Sequence, residues 1–389
     1  MKATSLLILF YFCCAGVTAG ANSFELSANC PPSFEKLTSG VCQLRTLYDF
    51  YDSPEQHGGV QARLPELPAR YTPEQMDLGR FLFFDPILSV NQDMSCASCH
   101  QLDKGLGDGR KTSLGAMTDE GRKSLPRATP TLWNVGFLRK FMWDGRADTL
   151  TEQALLPLLS VDEMGHSKEG VVRALQSSKS YPALFNRAFQ DGITLNNIAI
   201  ALGAFQTTLI SLNSRYDRYA HGDEEALDQS EIRGYNAFRG FVGRCSQCHI
   251  PPLFTDSELA VVGAPAGMDG AVDDGAGALS DDPFMIGAFR VPTLRNAALT
   301  APYFHNGVFN DLDEVVGFYN KTRGHRAPEG QPLKIHWHVH MTDGPKLSER
   351  NVSDIVAFLQ TLTDEKLMPQ VPLSVPSGLP VLTTIKGEQ

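Results

Sequence analysis

The sequence predicts a mainly α-helical protein in two similar halves, with few short strands. Three observations predict it. Apolar residues recur at three- and four-residue spacing behind helix-capping signals, two-residue alternation is scarce, and the order helix, C-x-x-C-H, loop-rich region occurs twice. With 389 residues, of which 42% are hydrophobic, the chain can bury two ordinary cores.

In chain order, residues 1–21, "MKATSLLILFYFCCAGVTAGA", have the basic start, short apolar run and small-residue cleavage region of an export signal. The run is short for a membrane anchor and no stop-transfer pattern follows; no later apolar run is long enough to span a bilayer. An exported, soluble, periplasmic protein is expected. Of eight cysteines, Cys13 and Cys14 leave with the signal. Cys30 and Cys42, in an N-terminal segment over 22–70, close a short loop and read as a disulfide in an oxidising compartment, with free thiols the alternative. The formal net charge of −10 argues against nucleic acid and favours basic partners.

"YTPEQMDLGRFLFF" offers Thr72 as N-cap, Pro73 at the first helical position and Gln75 to complete a capping box, which predicts a helix just before the first C-x-x-C-H. Ile198, Leu202, Phe205, Leu209 and Leu212 predict one long helix over 194–218. A polar stretch at 221–229 divides a first domain, 71–225, from a second, 226–365. There a helix is expected to start at Ser230, with Ile232, Tyr235, Phe238 and Phe241 leading into Cys245. The Gly-, Ala- and Asp-rich stretch over 263–282 reads as a loop near the second motif. Ser348 caps the last helix, and the proline-rich tail 366–389 is extended or wraps the surface.

The motifs are Cys96, Cys99, His100 and Cys245, Cys248, His249. Two thiols at this spacing can each add to a haem vinyl group, and the adjacent histidine then becomes the proximal iron ligand. Zinc or a redox dithiol is the competing reading. Neither needs a histidine directly after the second cysteine, so two covalently bound c-type haems are the stronger expectation. Each half becomes a cytochrome-c-like haem domain, the two packed together. They serve either as an electron relay or with divided labour, and the second use needs one open iron.

In order, "LGRFLFFDPILS", "SCASCH", "RATPTLWNVGF", "WDGRADTLTEQALLPL", "CSQCH", "VPTLRNAALTAPYFHNG" and "VVGFYN" resemble the bacterial dihaem cytochrome c peroxidase and MauG superfamily over residues 70–365. The resemblance is greatest to its Tyr-ligated MauG/MbnH-like branch. It implies that Trp143 relays electrons between the haems, where the sequence alone would equally allow a core tryptophan anchoring two domains. It places Gln153, Pro157 and Glu163 in the distal pocket of the first haem, with Glu163 as the base for peroxide cleavage; without it Glu163 would pass for a surface glutamate. Many of the peroxidases carry a histidine ligand in the segment after "TSLG". Here no histidine occurs from Gln101 to Trp143 and Ala116 stands at the matching place. A five-coordinate first haem is expected, with the neighbouring Met117 as alternative weak ligand.

Leu312, Val315, Val316 and Tyr319 share one helical face, which by periodicity makes Tyr319 a core residue. Candidates for the distal ligand of the second haem downstream of His249 are Met268, Met285, His305, Tyr319, His336, His338, His340 and Met341, and the resemblance selects Tyr319, at the place where the peroxidases have methionine. An oxygen ligand favours higher oxidation states of iron. Calcium between the domains is also a family feature; the carbonyls of Thr300 and Pro302 match its site, but Ala128 replaces the expected asparagine. In "KIHWHVH", His336, Trp337, His338 and His340 alternate like a strand, and a metal site, a haem-propionate contact and a surface strand all remain open. The expected activity is reaction with hydrogen peroxide at the first haem and transfer of oxidising equivalents through Trp143 to the second, ending in oxidation of an aromatic residue on an exported partner protein. The rivals are a peroxidase fed by a small cytochrome or cupredoxin, and a non-enzymatic dihaem electron carrier.

Overall fold

The computed structural model describes residues 24–50, 64–267, 270, 272–322, 346–364 and 369–385. The export signal, Met268 and the His336–His340 stretch lie outside the described residues. Those described are mainly helical: α1 (Pro73–Phe84), α2 (Leu150–Leu159), α3 (Lys168–Ser177), α4 (Tyr181–Ala188), α5 (Leu195–Gln206), α6 (Arg215–Ala220), α7 (Gln229–Arg239), α8 (Leu312–Thr322) and α9 (Glu349–Gln360). Short antiparallel pairs accompany them: β1 (Phe34–Lys36) with β2 (Cys42–Leu44), β3 (Leu114–Thr118) with β4 (Gly121–Ser124), and β5 (Leu259–Val261) with β6 (Ala288–Arg290). Cys30 and Cys42 are joined by a disulfide that anchors β2 to the N-terminal segment.

Each half is built on one close helix crossing. In the first, α1 lies on α5 with Leu78, Leu82, Ile198 and Leu202 in the shared core. A Cβ at Gly79 would come within 1.8 Å of the Ala201 carbonyl oxygen, so only glycine permits this approach. In the second, α7 lies on α9, and a Cβ at Gly234 would come within 1.8 Å of the Asp354 carbonyl oxygen. Tyr216, Tyr235, Phe238, Phe254 and Phe358 fill the core beside it. The capping boxes at Thr72 and Ser348 form as the sequence indicates.

Three local expectations are corrected. The helix over 194–218 is broken: α5 ends at Gln206, where the Thr207 and Thr208 hydroxyls donate back to the Ala204 and Phe205 carbonyls, and α6 begins only at Arg215. Leu209 and Leu212 are buried, but from an extended connector. The helix after the polar stretch starts one residue before Ser230, capped by Asp228 in a box with Glu231, and ends before Phe241, which is 71% exposed. Finally, the 263–282 loop contains a short 3-10 turn, Ala276–Leu279.

The two halves meet along a seam with approximate twofold character. Ala128 N–H donates to the His305 carbonyl at 2.7 Å, and Arg290 N–H donates to the Trp143 carbonyl at 2.7 Å. Asn134 and Asn296 occupy the left-handed region at φ 57° and 58°, each followed by a 3-10 turn. Residues 369–385 run across the first half, where Ser377 donates to the buried Asp85 and the Leu382 carbonyl accepts from Ser95 Oγ at 2.7 Å.

Candidate haem sites

The first site follows a single helical turn, Cys96–Cys99, whose end presents His100. The His100 Nδ1 lies 2.9 Å from the Leu106 carbonyl, which accepts its proton and leaves Nε2 with a lone pair for a metal. Leu106 reaches this position with φ +62°, so the loop after the motif is shaped around the histidine. Burial lowers the pKa of His100, keeping the ring neutral, and pushes the thiols of Cys96 and Cys99 up to about 12.

A partly open cavity lies beside them. Its lining brings Cys96, Cys99 and His100 together with Gln153, Pro157 and Glu163 from α2 and the turn after it, and with apolar Phe83, Leu132 and Leu202. Gln153 Oε1 is buried without a hydrogen-bond partner. Burial raises the Glu163 carboxyl above the ordinary glutamate range, against the opposing pull of Arg146 and a hydrogen bond from Ser160. Ala116 and Met117 lie on β3, and Met117 is 48% exposed and not part of the cavity wall. A flat apolar cofactor fits this place: two thiols, a neutral imidazole, greasy walls and one unsatisfied amide oxygen.

The second site repeats the proximal geometry. His249 Nδ1 lies 3.1 Å from the carbonyl of Phe254, itself at φ +54°, and burial lowers the pKa of the ring. Burial also raises the Cys248 thiol to about 11. Tyr319 projects from α8 into this site: burial raises its phenol well above the ordinary value, with Cys245 and Cys248 adding to the shift as its electrostatic neighbours. Among the described residues no three His, Cys, Asp or Glu side chains are grouped to hold a metal ion.

Trp143 stands at the seam between the halves. Its Nε1–H donates to the Ala128 carbonyl at 2.8 Å, and its ring meets His305 edge-on at 6.5 Å between centroids. His305 in turn stacks on Phe289 at 3.7 Å. Arg127 secures the seam through Asp144 at 2.6 Å and Asp273 at 2.6 Å. Thr300 and Pro302 fall on the same seam, with Thr300 Cγ2 against the Gly105 turn of the first half.

Sequence reasoning named His305 only as one of several candidate ligands of the second haem, and it missed Arg290. A signal existed: "RATPTLWN" and "RVPTLRN" share P-T-L-x-N, and the match sets Trp143 opposite His305 and Ala128 opposite Arg290. The shared letters are few, so the pairing emerges only once the two reciprocal hydrogen bonds are seen.

Fold and sites together define a two-haem oxidoreductase of cytochrome type. Residues 73–225 match the family model described as di-haem cytochrome c peroxidase. The chain is 37% identical to the methylamine utilization protein MauG of Methylorubrum extorquens, covering 77% of this chain and 82% of that one. It is 33% identical to the cytochrome c551 peroxidase of Nitrosomonas europaea, over 82% and 90% of the two chains. Among solved structures, a MauG-like protein associated with microbial copper homeostasis superposes with a TM-score of 0.66 at 31% identity, covering 82% of this chain and 96% of that one. The chain therefore belongs to the di-haem cytochrome c peroxidase family, within which it is MauG-like; it is an oxidoreductase acting on peroxide and uses two haems.

Proposed function

We infer that the two haem sites divide the labour, the first (71–225) meeting hydrogen peroxide and the second (226–365) storing charge for an outlet on a partner protein. The observation that carries this reading is the inequality of the far sides. The cavity that His100 lines also presents Gln153, Pro157 and Glu163, whereas Tyr319 stands near Cys245 and Cys248.

Cys96 and Cys99 with His100, and Cys245 and Cys248 with His249, would each hold a covalently bound haem, which when bound would supply the redox chemistry of O–O cleavage. Reduction of one peroxide takes up two electrons and two protons and yields two waters. Glu163 takes the proton from the near oxygen and returns it to the leaving one, a task suited to a carboxyl whose pKa burial has raised. Gln153, with its unsatisfied Oε1, orients the bound peroxide, and Pro157 closes the apolar wall that keeps bulk water out. Trp143 carries charge across the seam. Tyr319 would be a ligand of the second haem and, as an oxygen donor, would favour the higher oxidation states. If calcium binds, it takes the Thr300 and Pro302 carbonyls, with no side-chain donor from Ala128.

No helix among the described residues is long and apolar enough to cross a membrane. With the N-terminal signal this supports a periplasmic setting, where the outlet is an aromatic side chain on an exported protein. Replacing Tyr319 with Phe is expected to abolish the low-spin ferric signal of the second haem in electron paramagnetic resonance while leaving the first unchanged; an unaltered low-spin signal removes Tyr319 as ligand. Rapid steady turnover with a reduced small cytochrome or cupredoxin would instead favour the conventional peroxidase.

A further inference from the structure

Arg290 is 4% exposed, and among the described residues no carboxylate pairs with it. Its Nε reaches the Met142 carbonyl at 3.3 Å and its Nη1 the Val291 carbonyl at 3.5 Å, both long bonds to neutral acceptors. The other buried arginine of the second half shows the contrast. Arg295 holds both oxygens of Asp217, at 2.5 and 2.7 Å, and the Pro252 carbonyl as well. A guanidinium has five donors and does not lose its charge in proteins, and a buried cation without an anion is costly. Burial pulls even the pKa of Arg290 down to about 10, with nothing opposing it.

Its place in the fold narrows what anion is missing. Arg290 ends β6, and its own N–H is bonded to the Trp143 carbonyl at 2.7 Å. Two residues on, Pro292 lies beside the His249 ring. On the other side the Met142 Sδ accepts from Gln153 Nε2 at 3.9 Å, and Gln153 lines the first cavity. The side chain therefore sits between the two haem sites, each of which takes a cofactor bearing two propionate carboxylates. At the matching position of the first half stands Ala128, so the charge has no twin.

We propose that Arg290 is the counter-cation of a haem propionate at the seam between the two sites. The carboxylate accepts from the guanidinium donors that the protein leaves weakly used, and a bidentate pair fixes that edge of the porphyrin beside Trp143. The pair also biases the redox balance, because a nearby cation disfavours the ferric, more positive state. This rests on the presence of two haems, which pyridine haemochrome quantitation checks separately.

The test is spectroelectrochemical titration of the holoprotein and its Arg290→Gln and Arg290→Lys variants, following the two haems by their distinct spin states. Arg290→Gln is expected to lower the midpoint of one haem at least tenfold in redox equilibrium, ~59 mV for one electron, and to shift a propionate band in the redox-difference infrared spectrum. Arg290→Lys should restore most of the midpoint shift. Movement of the second-haem midpoint or of the first assigns the propionate to that haem. If Arg290→Gln carries two haems with both midpoints and the carboxylate bands unmoved, the pairing is wrong. If Arg290→Gln does not assemble, Arg290→Lys decides: unchanged infrared bands at the propionate position exclude a direct bond.

Discussion

The first and second halves share a frame and differ in what faces it. In both, a glycine lets two helices cross, a histidine gives its Nδ1 proton to a carbonyl of a left-handed residue, and a P-T-L-x-N turn closes the proximal side. The differences are substitutions on that frame: Trp143 against His305, Ala128 against Arg290, Trp133 against Arg295. On the proposed reading, attachment and proximal ligation are a property of the repeat, and reactivity belongs to the residues that break it.

The largest expected effect falls on the far side of the first haem. Glu163→Gln keeps the shape and removes the base, so the rate of reaction with peroxide should fall about 10²–10⁴-fold, with the second haem's spectrum unchanged. Because burial raises this carboxyl, the wild-type rate should rise with pH through a value above the ordinary 4.5, as the carboxyl loses the proton that blocks it. Stopped-flow rates across pH check both points. An acid limb that survives in Glu163→Gln would move the base elsewhere and erase this half of the contrast.

Next is the charge buried in only one frame. Burial alone would raise the Asp217 carboxyl, yet Arg295 and the Tyr48 hydroxyl hold it below the usual aspartate value. Asp217→Ala strands the Arg295 cation in the second core and should cost about 3–5 kcal/mol. Trp133, the matching first-half residue, is equally buried but neutral, and Trp133→Phe should cost less. Urea unfolding of the haem-loaded proteins measures the two; equal losses would mean that the buried ion pair has no special weight.

How much of this could be read from the sequence depends on the range of the interaction. The capping boxes at Thr72 and Ser348 and the C-x-x-C-H spacing are local, and each was legible. So was the grouping of Gln153, Pro157 and Glu163 near His100, though only through resemblance, since nothing in their spacing points at a residue more than fifty positions away. The break after Gln206 was missed because the apolar period continues through Leu209 and Leu212 while the Thr207 and Thr208 hydroxyls end the helix. Phe241 satisfied the period and still faces solvent, because the helix stops before reaching it. Arg290 was not singled out and His305 stood only as one of several candidate ligands, because their meaning lies in reciprocal bonds across the seam.

The smallest effect tests the shared frame itself. Gly79→Ala and Gly234→Ala each drive a methyl group to 1.8 Å from a backbone carbonyl oxygen, which no rotamer can relieve. The facing helices must move apart, at a cost of about 1–3 kcal/mol typical of overpacking. If the crossings are equivalent, the two losses should agree in unfolding experiments, and the spectra should divide them. Gly79→Ala shifts α5, which carries Leu202 in the first cavity wall, whereas Gly234→Ala presses on Phe358 in the second core. Each should perturb the haem of its own half. A Gly79→Ala protein that disturbed mainly the second haem would show that the seam, and not the crossing, transmits the change.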